Sequence, residues 1–225
     1  MKFDFLDLSN ALEHVYTKRL ALRPVSVVDA WPIFQASRNE LFNKHLLWPQ
    51  PKSEQEVLTR LKLIADASRS GALSGVSAVV RETGEFIALF RFLEHKTKFG
   101  AIEMGIWTSD RFWCGRYSLE IVRLCIAAAF SLSNVQLLVG ASFPDNRPSC
   151  TLMRMAGMTP LDLVMRDSEK GHPVLLQEYA ITRKEWERHE AMSFEVFEPT
   201  APVLAPAFEP EETGFDDLLM NEEDT

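Results

Sequence analysis

The side chains that most often carry out chemistry in proteins are scattered along this chain. The three cysteines are odd in number and lack Cys-x-x-Cys spacing, which argues against a zinc site or a disulfide framework and is typical of a reducing compartment. The five histidines lack metal-ligand spacing, and we interpret them as surface residues or local caps. We therefore predict no metal ion. The residues concerned are Cys114, Cys125, Cys150, His14, His45, His95, His172 and His189.

A carboxylate inside an apolar segment is a stronger candidate for chemistry. Residues 101–107 read Ala-Ile-Glu-Met-Gly-Ile-Trp, and strand alternation places Glu103, Gly105 and Trp107 on one face. If that face meets a substrate, Glu103 is suited to act as a general base. If it does not, Glu103 is a structural carboxylate that pairs with an arginine or the backbone. We interpret Trp107 and Trp113 as buried aromatic core.

A second polar segment precedes a short amphipathic stretch. Pro144-Asp-Asn146 is an ordinary turn sequence, and Asn146 would cap a helix that holds Ser149 in its first turn. Cys150 follows with no histidine near it in the sequence, so we predict that it packs rather than reacts. The sequence contains no P-loop, no dinucleotide-binding glycine motif and no basic aromatic stripe, so we expect no nucleic-acid partner.

The elements that must position these residues mix strands and helices, which indicates an α/β chain. Ser53 and Glu56 form a capping-box pattern, and Glu82-Thr-Gly-Glu85 is a hairpin turn signal. Residues 41–51 are aromatic and proline-broken and form a loop with room for one helical turn. Predicted strands cover 17–24, 76–81, 86–93, 101–107, 136–142, 161–166 and 174–182, and predicted helices cover 27–36, 54–70, 117–132 and 148–156.

The charge of the chain is distributed unevenly. The 225 residues carry a formal net charge of −8, but eleven of the 32 acidic residues lie in 190–225, which contains no Lys or Arg. The remaining chain has 24 basic and 21 acidic residues, and its formal charge of +3 is compatible with an anionic cofactor. Hydrophobic residues make up 46% of the sequence, which is enough for the core of one domain.

We therefore predict one folded domain over residues 1–189 and a disordered, proline-containing acidic tail over 190–225. The apolar cluster at 214–220 could fold against an unknown partner of the segment 191–225. Alternatively, the tail increases solubility or serves as a secretion or docking signal. No run of 18 or more apolar residues and no signal-peptide block occurs, so we expect a cytoplasmic protein that makes no use of a membrane.

Four segments resemble, in order and spacing, the ribosomal-protein N-acetyltransferases (RimJ/RimL type) of the GNAT superfamily. Residues 17–24 resemble that group's first strand, T-x-R-L-x-L-R-P, and residues 103–107 resemble its fourth strand, E-x-G-Y-W. Residues 112–120 resemble its cofactor loop, Y-W-G-K-G-Y-A-T-E, and residues 145–158 resemble its N-x-x-S…L-x-K-x-G-F segment. The resemblance spans about residues 16–182 and implies the GNAT fold, a central mixed, mostly antiparallel sheet flanked by helices.

The resemblance also implies an activity, the transfer of an acetyl group from acetyl-CoA to an amine. The implied acceptor is a protein or peptide N-terminal α-amine, with a small amine as the alternative. Residues 42–48 would border its site or form a packed connection. Glu103 would be the base, Asn146 would contact the pantetheine arm, and Ser149 would lie near the cofactor sulfur and protonate the departing thiolate. A backbone N–H of the splayed fourth strand would support the thioester carbonyl. The implied cofactor-binding residues are Ile106, Trp107, Trp113, Cys114, Gly115, Arg116, Tyr117, Ser118, Asn146 and Ser149.

The cofactor loop departs from the family pattern at two positions. Cys114 and Arg116 stand where the family usually has glycines, which let backbone N–H groups approach the pyrophosphate. Gly115 is displaced by one residue, and Ser118 keeps the last position small. Either Arg116 contacts a phosphate, with Arg111 beside the loop, or the Arg116 side chain fills the site. The second arrangement would make the chain a catalytically degenerate GNAT-fold module that recruits partners through its acidic tail.

Overall fold

A seven-stranded sheet forms the centre of the computed structural model, which describes residues 3, 5, 6, 8, 15–98, 100–113 and 117–193. The strands lie in the order β1-β2-β3-β4-β5-β7-β6. Among the described pairings, β4–β5 is parallel and the others are antiparallel, so the predicted mixed, mostly antiparallel sheet is confirmed. The strands are β1 Leu20–Pro24, β2 Ser74–Val80, β3 Phe86–Glu94, β4 Ala101–Thr108, β5 Leu137–Ser142, β6 Thr159–Asp167 and β7 Pro173–Thr182.

The helices begin where the sequence supplies caps. Ser53 Oγ accepts from Glu56 N at 3.3 Å, as the capping-box pattern predicts, but the Glu56 carboxylate accepts from Lys52 N at 2.8 Å rather than from Ser53. A 3₁₀ turn at Val27–Asp29 precedes α1, and a second at Asp110–Phe112 follows β4. The helices are α1 Ala30–Ala36, α2 Glu40–Lys44, α3 Glu54–Arg69, α4 Ser118–Ser131, α5 Arg147–Met155 and α6 Arg183–Ser193.

Helices cover the two faces of the sheet differently. On one face, which we call the α4 face, Met104 packs in the large core with Ile121 and other residues of α4 and α5. On the other, the α3 face, Trp107 packs with Val57 and other residues of α1 and α3. Because side chains alternate along a strand, Glu103 lies on the α3 face with Trp107, as predicted.

Two of the segments that carry the family resemblance meet in the structure. Glu120 in the first turn of α4 accepts from Arg19 Nε at 2.9 Å and from the Thr17 hydroxyl. The Arg19 guanidinium lies 4.4 Å from the centroid of the Tyr117 ring. These contacts hold the start of α4 against the segment that leads into β1.

Helix α6 was missed by the sequence analysis. Thr182 and Glu185 form a capping box at its start, with Thr182 N donating to Glu185 Oε2 at 2.8 Å and Glu185 N donating to Thr182 Oγ1 at 3.2 Å. Trp186 stacks on Phe130 with ring centroids 5.3 Å apart.

Residues 1–192 form one compact unit, and α6 runs past the composition-based boundary at 189–190. The predicted tail beyond Ser193 lies outside the described residues. Of the helices in the described part of the chain, none combines the length and hydropathy that a membrane crossing requires.

Candidate active site

A gap opens between β4 and β5 halfway along the sheet. The parallel pairing of the two strands ends at Met104 and Gly140. On the opposite side of β4, Ser109 N donates to Ile87 O at 2.8 Å. Alternate residues of a strand direct their N–H groups to opposite neighbours, so the N–H of Ile106 faces β5 just beyond the last pair. From the sequence, a backbone N–H of the fourth strand is expected to support the thioester carbonyl. The N–H of Ile106 is the one in the position to do so.

The residues around the predicted cofactor loop connect the end of β4 to the start of α4. Trp113 Nε1 donates to Thr108 O at 2.8 Å, and the Trp113 side chain is partly exposed, so its interpretation as buried core was wrong. Ser118 Oγ lies within hydrogen-bond distance of Phe112 O at 3.1 Å and Trp113 O at 2.9 Å, and donation to them holds the two ends of the loop together. Cys114, Gly115 and Arg116 lie outside the described residues.

The segment after β5 is organised by a helix cap. Asn146 Oδ1 accepts from Ser149 N at 3.3 Å and thereby caps α5, as the turn sequence predicts. Ser149 is half-buried in the first turn. Cys150 is buried, and its thiol donates to Phe143 O at 3.5 Å, which agrees with a packing role. The contact of Asn146 with pantetheine and the proximity of Ser149 to the cofactor sulfur stay predictions.

Gly105 leaves an open position on the α3 face. It is exposed in the middle of β4, between the half-buried Glu103 and the buried Trp107. A Cβ added at Gly105 would meet no atom of the residues that the structure describes within 4 Å. Across the antiparallel β3–β4 pair, Gly105 lies opposite Arg91. A molecule that reaches this position lies beside Ile106, whose N–H points into the gap.

Five ionisable residues from β4, β6, β7 and the β3–β4 turn form a network on the α3 face, which we call the charge cluster. Arg166 bridges two carboxylates: Nη1 donates to Glu103 Oε2 at 3.2 Å and Nη2 donates to Glu178 Oε1 at 2.7 Å. Lys98 Nζ donates to Glu178 Oε2 at 2.5 Å. Glu103 therefore has the structural partner that one interpretation predicted, while 22% of its side chain stays exposed. The cluster consists of His95, Lys98, Glu103, Arg166 and Glu178.

His95 corrects the interpretation of the histidines as surface residues. It is 4% exposed. Its Nδ1 accepts from Thr97 N at 3.2 Å and from Lys98 N at 3.0 Å, and its Nε2 lies 3.4 Å from Glu178 Oε1 and 3.2 Å from Arg166 Nη2. His95 is a local cap, as the alternative interpretation held, but a buried one. His14 lies outside the described residues.

Glu178 couples the charge cluster to stability at low pH. Burial alone would raise the pKa of Glu178, but hydrogen bonds and charges from Lys98 and Arg166 outweigh burial and hold the pKa below its usual range. Because the folded pKa lies below the unfolded value, this contribution to stability is present above the unfolded pKa and is lost as the pH falls through the folded pKa. We expect Glu178→Gln to lower the free energy of unfolding at neutral pH by about 2 kcal/mol.

Urea denaturation across a pH series measures this effect. The Glu178→Gln variant should show a shallower loss of stability than the unsubstituted protein as the pH falls below the ordinary glutamate pKa of 4.5. Glu187→Gln, at an exposed position of α6, is the matched control and should behave like the unsubstituted protein. An unchanged pH profile for Glu178→Gln would contradict the assignment.

The segment between α2 and α3 borders an open groove on the α3 face. Glu169 N donates to Leu47 O at 2.8 Å, and Lys170 Nζ donates to Asn43 O at 2.7 Å, so this segment packs against the β6–β7 turn. The groove has a volume of about 650 Å³ and runs between Trp48 and α3. Its lining includes Trp48, Pro51, Arg60, Leu63, Arg91 and Glu169.

Comparison with known proteins identifies the family of this fold and site. Residues 19–159 match the acetyltransferase (GNAT) domain. An uncharacterized N-acetyltransferase of Bacillus licheniformis, p20, is 26% identical over 168 residues, which cover 75% of this chain and 94% of that protein. The structure of RimJ from Mycobacterium smegmatis in complex with CoA-disulfide has a TM-score of 0.64 at 16% identity and covers 77% of this chain and 88% of that chain. A structure of RimL, a ribosomal L7/L12 α-N-protein acetyltransferase, in complex with coenzyme A has a TM-score of 0.60 at 16% identity and covers 74% of this chain and 95% of that chain.

This chain belongs to the GNAT acetyltransferase family, because the domain match covers more than half of its residues. It is an acyltransferase that takes acetyl-CoA as the acyl donor. The predicted family, fold and enzyme class are confirmed. The fold is shared by enzymes with different acceptors, so the acceptor has to be inferred from the site.

Proposed function

We propose that this enzyme transfers the acetyl group to the N-terminal α-amine of a protein or peptide. The observation that carries the proposal is the open position over Gly105, which precedes Ile106 in β4 and lies opposite Arg91, a residue that lines the groove. The structural likeness to RimL, an α-N-protein acetyltransferase, supports the same acceptor class.

The groove on the α3 face favours an extended chain over a small amine. It runs from Arg91 past Trp48 along α3 and is open to solvent. A peptide whose amine reaches the position over Gly105 has room in this groove for the residues that follow the amine. A small amine would leave most of the groove unused.

Three groups of the chain are assigned chemical roles in this reaction. Glu103, adjacent to the open position, accepts the proton of the acceptor amine, directly or through a water molecule, while Arg166 orients the carboxylate. The N–H of Ile106 donates to the carbonyl oxygen on which negative charge develops. Ser149, at the start of α5, is assigned to protonate the departing thiolate.

The described residues fit acetyl-CoA at the gap. Beyond Met104, β4 presents its edge to the gap, and the 14-residue helix α4 is the next helix along the chain. Acetyl-CoA bound there supplies a thioester-activated acetyl group. Backbone N–H groups at the start of α4 suit its pyrophosphate. The residues proposed to hold it are Ile106, Trp107, Trp113, Tyr117, Ser118, Asn146 and Ser149, together with Cys114, Gly115 and Arg116 of the loop.

Mass spectrometry of acetylated peptides tests the acceptor class. The panel consists of peptides that differ in their N-terminal residue and carry one internal lysine. Each peptide is made in two forms, one with a free and one with a formylated N-terminus. The proposal expects acetylation at the α-amine of free peptides and none of the formylated set. Acetylation of lysine alone, or of small amines but not peptides, would overturn it.

Arg116→Ala should weaken the binding of acetyl-CoA, because a guanidinium beside a phosphate forms charge-assisted hydrogen bonds. We expect a loss of affinity of about tenfold or more in isothermal titration calorimetry. Arg123→Ala, at an exposed position of α4, is the control and should bind as the unsubstituted protein does. Tighter binding by Arg116→Ala and Arg116→Gly would show that the side chain fills the site.

A further inference from the structure

Arg91 is a half-buried cation in the middle of β3 whose guanidinium has no carboxylate partner within the described residues. No hydrogen bond or ion pair joins it to a described side chain, although Glu103 and Glu169 lie close enough to interact with it electrostatically. Burial lowers the pKa of Arg91, so the charge is held at a cost in solvation. A half-buried guanidinium without a carboxylate partner is suited to bind a ligand that carries an anionic group.

The neighbouring carboxylates are bound by other cations. Glu169 accepts from Arg60 at 2.5 and 3.3 Å. Glu103 and Glu178 share Arg166, and Glu178 also pairs with Lys98. Among these described residues, four cations therefore face three carboxylates, and Arg91 is the cation left without a direct partner.

The position of Arg91 connects it to the proposed acceptor site. It lies directly opposite Gly105 in a hydrogen-bonded β3–β4 pair, in which Cα atoms are separated by about 5.5 Å. It also lines the groove together with Trp48. An anion bound by Arg91 would therefore lie close to an amine over Gly105.

We propose that Arg91 binds a carboxylate of the acceptor, so that the enzyme selects amines that carry an acidic group close to the amine. This inference rests on the proposed placement of the amine over Gly105. The carboxylate comes either from an acidic side chain near the N-terminus of a peptide or from the α-carboxylate of a free amino acid. Both sources present the planar pair of oxygens that an arginine binds with two parallel hydrogen bonds.

Paired acceptors that differ in one carboxylate test the proposal. The first pair is a Ser-Asp peptide amide and a Ser-Asn peptide amide, and the second pair is serine and serine amide. The kcat/KM of each compound is measured with the unsubstituted protein and with the variants Arg91→Gln and Arg91→Lys. The control is Arg69→Gln, which replaces an exposed arginine of α3. Within one pair, we expect the kcat/KM of the acidic member to be higher by at least about tenfold, because its KM is lower.

The variants separate binding of the carboxylate from a structural role. Arg91→Gln should lower the kcat/KM of the acidic member of a pair to that of the neutral member, Arg91→Lys should keep part of the preference, and Arg69→Gln should keep all of it. Arg91→Gln should unfold at the same or a higher temperature than the unsubstituted protein, because a desolvated charge is removed. A preference that survives in Arg91→Gln, or the absence of any preference in both pairs, would overturn the proposal.

A binding experiment keeps this proposal distinct from the proposed function. Calorimetry with the same four compounds in the presence of CoA measures affinity without turnover. If serine is preferred and peptides are not acetylated, the peptide acceptor fails while the role of Arg91 stands. If no compound is acetylated, tighter binding of the acidic members that depends on Arg91 still supports the carboxylate site, and equal binding overturns it.

Discussion

Replacing Gly105 with valine is expected to lower kcat/KM for the acceptor by at least about a hundredfold while the protein stays folded. The added side chain would project from the α3 face into the open position that the amine must reach. It would stand between Glu103 and Trp107 and opposite Arg91, where no atom now lies within 4 Å of the Cβ position. The acceptor and the new side chain cannot occupy this space together.

The fold should tolerate this substitution. The free protein has room for the side chain, and β-branched residues are favourable in strand interiors, whereas glycine there is unfavourable by roughly 0.5–1 kcal/mol. Acetyl-CoA should bind as before, because the gap lies on the β5 side of β4. Steady-state kinetics, thermal unfolding and calorimetry with acetyl-CoA measure the three quantities.

A second glycine provides the contrast. A Cβ at Gly75 would lie 2.3 Å from Ile64 Cγ2 in the α3-face core, so Gly75→Ala should lower stability. Gly105→Ala should lower activity less than Gly105→Val does, and it should leave stability unchanged. Full activity of Gly105→Val would show that the acceptor does not cross this position, and it would remove the main support for the proposed site.

Glu103→Gln is expected to lower kcat by at least about tenfold, because a positioned base typically contributes a factor of 10² to 10⁴. The amide keeps an oxygen that can accept from Arg166, so the charge cluster stays assembled. The affinity for acetyl-CoA should change little. The loss should appear in turnover at saturating concentrations of both substrates.

Two controls accompany Glu103→Gln. Glu94→Gln changes an exposed carboxylate at the end of β3 and should leave turnover intact. Arg166→Gln tests positioning: it should lower kcat, because Glu103 loses the partner that orients its carboxylate. Unchanged turnover of Glu103→Gln would remove this residue from the mechanism and leave it as the structural partner of Arg166.

Local patterns in the sequence determined most of the secondary structure. The alternation in 101–107 and the capping signals at Ser53 and Asn146 depend on neighbouring residues alone, so they can be read without the fold. Helix α6 was missed because its polar sequence holds one anchoring aromatic, Trp186, in place of a periodic apolar face. The Thr182-x-x-Glu185 capping box was the signal that could have revealed it.

Residues far apart in the chain form the charge cluster, and no local pattern brings them together. Lys98, Arg166 and Glu178 come from a turn and two later strands, and their contacts depend on the strand order and register. A carboxylate within the apolar run of β7 was a hint at Glu178, but its partners could not be named. The same holds for Arg91, an isolated cation in an apolar strand.

The sequence by itself determined the family, the strand that carries the site and the face shared by Glu103, Gly105 and Trp107, because periodicity and motif order are properties of the chain. Tertiary structure alone decided that Glu103 is paired with Arg166 and that, within the described part of the chain, this face is open at Gly105 and Arg91 has no paired carboxylate. These outcomes depend on where the helices leave the sheet uncovered and on which cations reach each carboxylate. Both are set by long-range packing.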